Sequence, residues 1–353
     1  MVTLMNSTAA KIALYVGILA LGILMPMWFP NYVGQMTVLW MMVIFALTWD
    51  ILGGQMGYNS LGNILFFGAG MYASAMVQVG LYYNLADYTS AAGGGVYNFT
   101  FSQYFTGLGL GLIVAGVVCV IFAIVLGRLF FGLRGPYFAI GTLAVAMAVG
   151  EIVSTWELVG GGQGMSMPNY PGVLGESKYV FYTMMFVLAI VTFGFLRWLY
   201  GTRFGLALNA IRDDEEKAEG MGIHTLRYKT VAWSIAAFFL GICGAIYGNF
   251  NNFFEPIDVA FPTTTFGIFM VLMVLLGGKG TLWGPVIGAV LFHVLKEVTW
   301  TYLLNMQWIA LGLLIVITVV YFQQGIMGWM MSKRPEWFGI RVEGDKARLS
   351  DMK

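Results

Sequence analysis

The chain has 353 residues, of which 59% are hydrophobic and 10% charged, with a mean hydropathy of +0.79. That usage excludes an ordinary soluble domain and indicates an integral membrane protein. A net charge of +1 leaves no global field to draw the chain to nucleic acid or an anionic surface, so any electrostatic argument rests on where the charges sit.

Apolar runs of about 20 residues, the length a helix needs to cross the hydrocarbon core, predict spans over 11–29, 35–53, 62–79, 105–127, 136–155, 178–199, 229–249, 263–277, 283–299 and 303–322. The expected fold is therefore all-α and polytopic, about ten transmembrane helices, several interrupted by glycine. The first run follows Lys11, ends on Trp28, Phe29 and Pro30, and lacks a small-residue cleavage site, so it reads as an uncleaved first span and not as a signal peptide. Basic residues mark cytoplasmic loops. With the N-terminus inside and ten alternating spans, sixteen of the 18 Lys and Arg fall inside, leaving only Lys178 and Lys296 toward the outside. An N-in, C-in arrangement follows.

Spans two and three are joined by "GGQMGYNSLGN" (53–63), and spans eight and nine by "GGKGTLWGPVIGA" (277–289), a spacing that hints at an internal repeat. Glycines and Pro285 here fit two readings. One is a broken, re-entrant helix whose polar groups face a substrate path; the other is close helix packing through small residues. For a path, the polar candidates are Tyr58, Asn59, Ser60 and Asn63, joined by Tyr137 and Thr142 of "RGPYFAIGTLAVAMAVGE" (134–151). Asp50 and Glu151 are ionisable and lie within or at the ends of spans, where such residues suggest function unless they sit at an interface. His293, Lys296 and Glu297 read as packing and an outer-edge pair. Trp28, Trp49, Trp156, Trp300 and Trp329 fall near span ends, as interfacial anchors do.

Spans six and seven are joined by "GTRFGLALNAIRDDEEKAEGMGIHTLRYK" (201–229), a cluster of charges in a chain otherwise poor in them. Phe204, Leu208, Ile211, Ala218 and Met221 recur at helical spacings, so the segment reads as one amphipathic helix with an apolar stripe. Arg212 with Glu216 and Asp213 with Lys217 stand four apart as opposite-charge pairs, and Gly220 and Gly222 end the helix. A solvated connecting loop is the plain reading; a docking helix that lays its stripe in a partner's groove is the sharper one.

No GxxxxGK[ST] occurs, since Gly280 follows the lysine of "GGKGT". Neither a Ser/His/Asp set, nor a carboxylate pair of catalytic spacing, nor a Cys/His metal pattern is present, so no catalytic or metal-ligating residue is expected. Cys119 and Cys243 each lie inside an apolar run, which argues against a disulfide.

"ALNAIRDDEEKAEGMGIHTLRYK" resembles the coupling segment of branched-chain amino-acid ABC-importer permeases, specifically the LivM-like subunit. "GGQMGYNSLGNILFFGAGMYASA" (53–75), "LRGPYFAIGTLAVA" (133–146), "GGGQGM" (160–165), "GGKGTLWGPVIGAVLF" (277–292) and "QQGIMG" (323–328) resemble that family's other segments in the same order, over roughly 35–330. The resemblance implies a non-catalytic permease subunit of a bacterial inner membrane. Its partners would be a second permease subunit, two ATPase subunits carrying the ATP and Mg, and an extracytoplasmic substrate-binding protein, with no cofactor on this chain. It implies a transmembrane domain over 1–330, a coupling loop over 201–229 and a cytoplasmic tail over 331–353. Arg203, Leu208, Ile211, Arg212, Asp213, Asp214, Glu215, Glu216, Glu219 and Gly222 would then couple to an ATPase groove. The family's usual histidine after "SLG" is Asn63 here, and a smaller residue often stands where this chain has Tyr58, which bears on substrate. Branched-chain or related small amino acids are expected. Urea or short amides, a proton-driven transporter using Asp50 or Glu151, and a passive channel are the alternatives.

Overall fold

The computed structural model describes residues 8–90, 97–172, 175–302 and 325–333, with isolated positions between 306 and 320. The tenth candidate span and the tail beyond Lys333 lie almost wholly outside the described residues. The chain forms α1 (Thr8–Trp28), α2 (Val33–Gly53), α3 (Ile64–Gly80), the short α4 (Leu85–Ser90), α5 (Phe101–Phe130), α6 (Pro136–Thr155) and α7 (Glu176–Tyr200). Then come α8 (Arg203–Asp213), α9 (Glu215–Gly220), α10 (Thr225–Asn251), α11 (Ile268–Gly277), α12 (Trp283–Tyr302) and α13 (Gly325–Lys333). Each candidate span before the tenth coincides with a helix; the eighth begins as a π-helical turn, Thr263–Gly267, that runs into α11. Among the described residues, six helical stretches are long and apolar enough to cross a membrane. α12 carries His293, Lys296 and Glu297 in its outer half, and Lys296 pairs with Glu297 at 3.2 Å as expected.

Local chemistry sets the helix ends. Thr100 and Gln103 form a reciprocal capping box at the start of α5, satisfying two otherwise orphan amides. Asn252 closes α10 in the left-handed conformation at φ 61°, a geometry asparagine tolerates better than other side chains.

The connections sort to two ends, as alternate crossing requires. At one end β1 (Met165–Ser166) pairs antiparallel with β2 (Phe253–Phe254), Met165 opposite Phe254, and Tyr83 Oη donates to the Asn98 carbonyl at 3.0 Å. At the other, basic end, residues 54–63, 131–135, 201–224 and 278–282 converge.

α10 occupies the centre and packs on α2, α3, α5 and α7. Its backbone approaches α3 so closely that a Cβ on Gly70 would lie 2.2 Å from the Gly241 carbonyl, and one on Gly244 would lie 2.0 Å from that of Phe67. Small residues permit this approach. α6 is peripheral: it buries only Phe138, Thr142, Ala146 and Gly150, one stripe at a spacing of four.

The same packing decides between the two readings of the glycine-rich segments. Both lie at the basic end: 54–63 is a non-helical turn, and 278–282 is a turn from which 283–289 continue as the first turns of α12. Around the second, a Cβ on Gly288 would lie 1.8 Å from the Met273 carbonyl, so α11 and α12 touch backbone to backbone.

Candidate coupling site at the basic end

Residues 201–224 do not form one helix. Thr202 caps α8 by accepting from the Phe204 amide at 3.2 Å, and α8 stops at Asp213 because Asp214 adopts an extended backbone (φ −163°, ψ 106°). The Asp214 carboxylate then accepts from the Lys217 amide at 3.0 Å and caps α9. Glu215 and Glu216 fill the first turn of α9, where acidic side chains complement the helix dipole. Asp followed by two acids is the sequence signal for this break, and periodicity alone overlooks it. Gly222, at φ 87°, supplies the left-handed turn into α10.

The expected apolar stripe is turned inward. Leu208, Ile211 and Ala218 are buried within this chain, so they hold the segment to the bundle and offer a partner nothing. The apolar side chains left outside are Leu206 and Met221, 68% and 72% exposed. The expected ion pairs are also re-partnered by the break. Arg212 pairs with Asp213 at 3.2 Å, Lys217 with Asp214 at 2.9 Å and Arg134 with Glu216 at 3.1 Å. Arg203, Asp213, Glu216, Glu219 and Gly222 form the exposed face with Arg212.

Glu215 leaves that face. Its Oε1 accepts from Lys229 Nζ at 2.6 Å and its Oε2 from Tyr58 Oη at 2.5 Å, while Lys229 Nζ also donates to Tyr58 Oη at 3.1 Å and to the Phe131 carbonyl at 3.2 Å. The Lys229 side chain is 2% exposed, and its ammonium lies 4.7 Å from the Tyr58 ring centroid, a cation–π contact in a desolvated place. Phe131 and Phe138 meet the Tyr58 ring edge-on at 5.8 Å and 5.2 Å. Burial pushes the Glu215 carboxyl up, but the hydrogen bonds from Lys229 and Tyr58 and the charges of Lys229 and Arg134 outweigh it and hold the group below the ordinary carboxylate range. Burial, then the neighbouring Glu215, pushes the Tyr58 hydroxyl up. Five elements thus share one buried ion pair: the 54–63 turn, the 131–135 loop, α6, α9 and α10.

A second junction lies beside it. Asp50 Oδ1 accepts from the Gly280 amide at 2.8 Å, joining the second glycine-rich turn to α2, and Arg212 Nη1 donates to the Gly54 carbonyl at 3.4 Å, joining the first to α8. A Cβ on Gly54 would lie 1.8 Å from Asp50 Oδ1 and 2.5 Å from the Gly280 amide. Thr225 Oγ1 donates to Glu219 Oε1 at 2.5 Å and ties the end of α9 to α10.

Of the polar residues expected along a substrate path, Ser60, Asn63 and Thr142 are buried in this packing, and Tyr58, also buried, borders an open cleft with Arg134 and residues 211–216. Asn63 Oδ1 accepts from Trp233 Nε1 at 3.0 Å, the Ser60 carbonyl from Trp49 Nε1 at 2.6 Å, and Thr142 Oγ1 from the Leu61 amide at 3.2 Å. Asn59 is exposed in the turn, and Tyr137 is 74% exposed at the start of α6, so neither joins the cluster. Lys229 was not among the residues singled out from sequence. A lone lysine one turn into an apolar helix is the signal that could have pointed to it. Among the described residues, no three His, Cys, Asp or Glu side chains gather in a way that could hold a metal ion.

The pattern of the family described as branched-chain amino acid transport system / permease component matches residues 31–322. The chain is 30% identical over 298 residues to a probable branched-chain amino acid transport permease protein, LivM, of Methanocaldococcus jannaschii, covering 79% of this chain and 84% of that protein. It is 25% identical over 325 residues to the high-affinity branched-chain amino acid transport system permease protein LivM of Escherichia coli, covering 83% and 72%. No solved structure matches.

Proposed function

The chain belongs to the family of permease components of branched-chain amino acid transport systems, a multi-pass membrane family, and from that premise we propose that it is the membrane-spanning subunit of an ATP-binding-cassette importer. In this reading it pairs with a second permease subunit in a bacterial inner membrane. Two ATPase subunits bind its cytoplasmic face and carry the ATP and Mg, and an extracytoplasmic binding protein delivers branched-chain or related small amino acids.

The observation that supports this most is the tie between an exposed acidic segment and the spans. Asp213, Glu216 and Met221 are exposed on α8 and α9 and the turn after them, while Arg212 and Glu215 anchor the same segment to the first glycine-rich turn, Glu216 ties it to the 131–135 loop, and Glu215 and Glu219 tie it to α10. Closure of the ATPase pair displaces the exposed face. The buried pair and the Arg212–Gly54 bond pass that displacement to the cytoplasmic ends of α2, α3, α10, α11 and α12, which switch between inward and outward openings.

The test is gentle extraction through a C-terminal tag, followed by mass spectrometry of what accompanies the chain and by uptake in vesicles. An ATPase and a second permease are expected. The ATPase should be lost from the double variant Asp213→Lys/Glu216→Lys, which leaves Glu215 and Lys229 intact. Recovery of the chain alone in several mild detergents, with uptake that needs no ATP, would sink the importer reading. Uptake of urea or acetamide in place of leucine would change the substrate and keep the mechanism.

A further inference from the structure

A gap in the helix packing opens toward the bilayer between α1, α2, α7 and α12. It measures about 310 Å³, and apart from its basic end it is lined by apolar groups such as Ile18, Leu19, Val43, Ile190 and Val286. Two fastenings bound it. Near the basic end the Tyr15 ring stacks on Trp283 at 5.8 Å, and Arg197 donates to the Tyr15 hydroxyl while its guanidinium carbon lies 5.2 Å from the ring centroid. Farther along, Tyr182 Oη donates to the Gly22 carbonyl at 2.5 Å, and Phe186 packs so closely that a Cβ on Gly22 would lie 2.3 Å from its ring. Between these points α1 stands off the bundle, and Gly194 deepens the gap: a Cβ there would meet nothing within 4 Å.

Depth and charge specify the occupant. The eleven steps from Phe186 to Arg197 run about 16 Å along α7 at ~1.5 Å each, close to half of the ~30 Å hydrocarbon core, which is one leaflet. Arg197 sits at the mouth on the basic side, exposed, and forms no ion pair among the described residues. A guanidinium offers five N–H donors in a fork that suits phosphate, and the Tyr15 hydroxyl engages one. An apolar slot one leaflet deep, with an uncompensated arginine at headgroup level, matches a single lipid.

We propose that this groove binds an acyl chain of an anionic glycerophospholipid from the cytoplasmic leaflet, with the lipid phosphate on Arg197. The chain fills contacts that α1 leaves unmade, and the headgroup supplies the missing negative charge.

The full chain, with whatever subunits accompany it, is placed in nanodiscs of equal phosphatidylglycerol and phosphatidylcholine, then released and weighed intact by native mass spectrometry. Retained phosphatidylglycerol in excess over phosphatidylcholine is expected. Arg197→Gln should weaken that preference roughly tenfold, the size of one charged hydrogen bond. Gly194→Leu, whose Cβ enters open space and whose side chain fills the slot, should abolish retention of both lipids while melting in lipid-free detergent at the parent temperature. Undiminished phosphatidylglycerol on Gly194→Leu would overturn the proposal. So would a cysteine at position 194, as Gly194→Cys, that cross-links efficiently to another protein subunit in the membrane, because a protein helix would then fill the groove.

Discussion

Replacing Glu215 by alanine strands the Lys229 ammonium in a place where its side chain is 2% exposed, with only the Phe131 carbonyl and the Tyr58 hydroxyl left to it. Breaking a buried ion pair from one side costs about 3–5 kcal/mol, whereas removing both charges together is often close to neutral. Glu215→Ala should therefore destabilise by several kcal/mol, Lys229→Met by a similar amount, and the double variant by far less than their sum. Unfolding of the four proteins in mixed SDS and dodecylmaltoside micelles, treated as a double-mutant cycle, measures the difference. A coupling energy below about 0.5 kcal/mol, the ordinary scatter for independent sites, would refute the assigned pair. The pH dependence provides a second reading of the same pair. The folded Glu215 carboxyl titrates below its unfolded value of about 4.3. Its stabilisation is thus complete above that value and is lost as pH falls through the lower, folded one. The stability gap between the parent and Glu215→Ala should stay level from neutral pH to about 5 and close only in stronger acid.

Gly54→Ala should abolish the junction of the two turns and with it uptake, because its Cβ meets the Gly280 amide at 2.5 Å; Gly109→Ala on α5, where a Cβ meets nothing within 4 Å, should raise stability by about 0.5–1 kcal/mol. Thermal unfolding of the purified protein distinguishes the two. Asn63→Leu leaves the Trp233 indole N–H without its acceptor and should cost about 1–3 kcal/mol. Adding Trp233→Phe to Asn63→Leu should recover much of that loss in the same unfolding assay. Cys119 and Cys243 are buried and unbridged, so neither should react with a membrane-permeant maleimide until the helices separate, and labelling measured against denaturant should follow global unfolding.

The spans were legible because each is a local property. A run of apolar residues long enough to cross announces itself without reference to the rest of the chain, and the Lys and Arg asymmetry orients the set. The family segments were legible for the same reason, as contiguous strings. The 201–224 segment was legible in place but not in shape. Its apolar spacing runs through Asp214, so periodicity joins α8 and α9, whereas the capping carboxylate at Asp214 divides them. The stripe itself says only that Leu208, Ile211 and Ala218 pack against something. That the something is this chain's own bundle, and not a partner, depends on where the 201–224 segment lies against α10.

Glu215 and Lys229 stand 14 residues apart on different helices, and Tyr58 lies 171 from Lys229, so no spacing rule pairs them. In sequence Glu215 is one of four consecutive acids and reads as a wetted charge. The sequence by itself determined the membrane class, the order of the helices and the family, since these rest on composition and contiguous pattern. Only the tertiary structure decided which of the clustered charges is buried, which glycines are helix contacts, and where α1 stands away from the bundle, because each depends on the distance between elements that the chain brings together only when it folds.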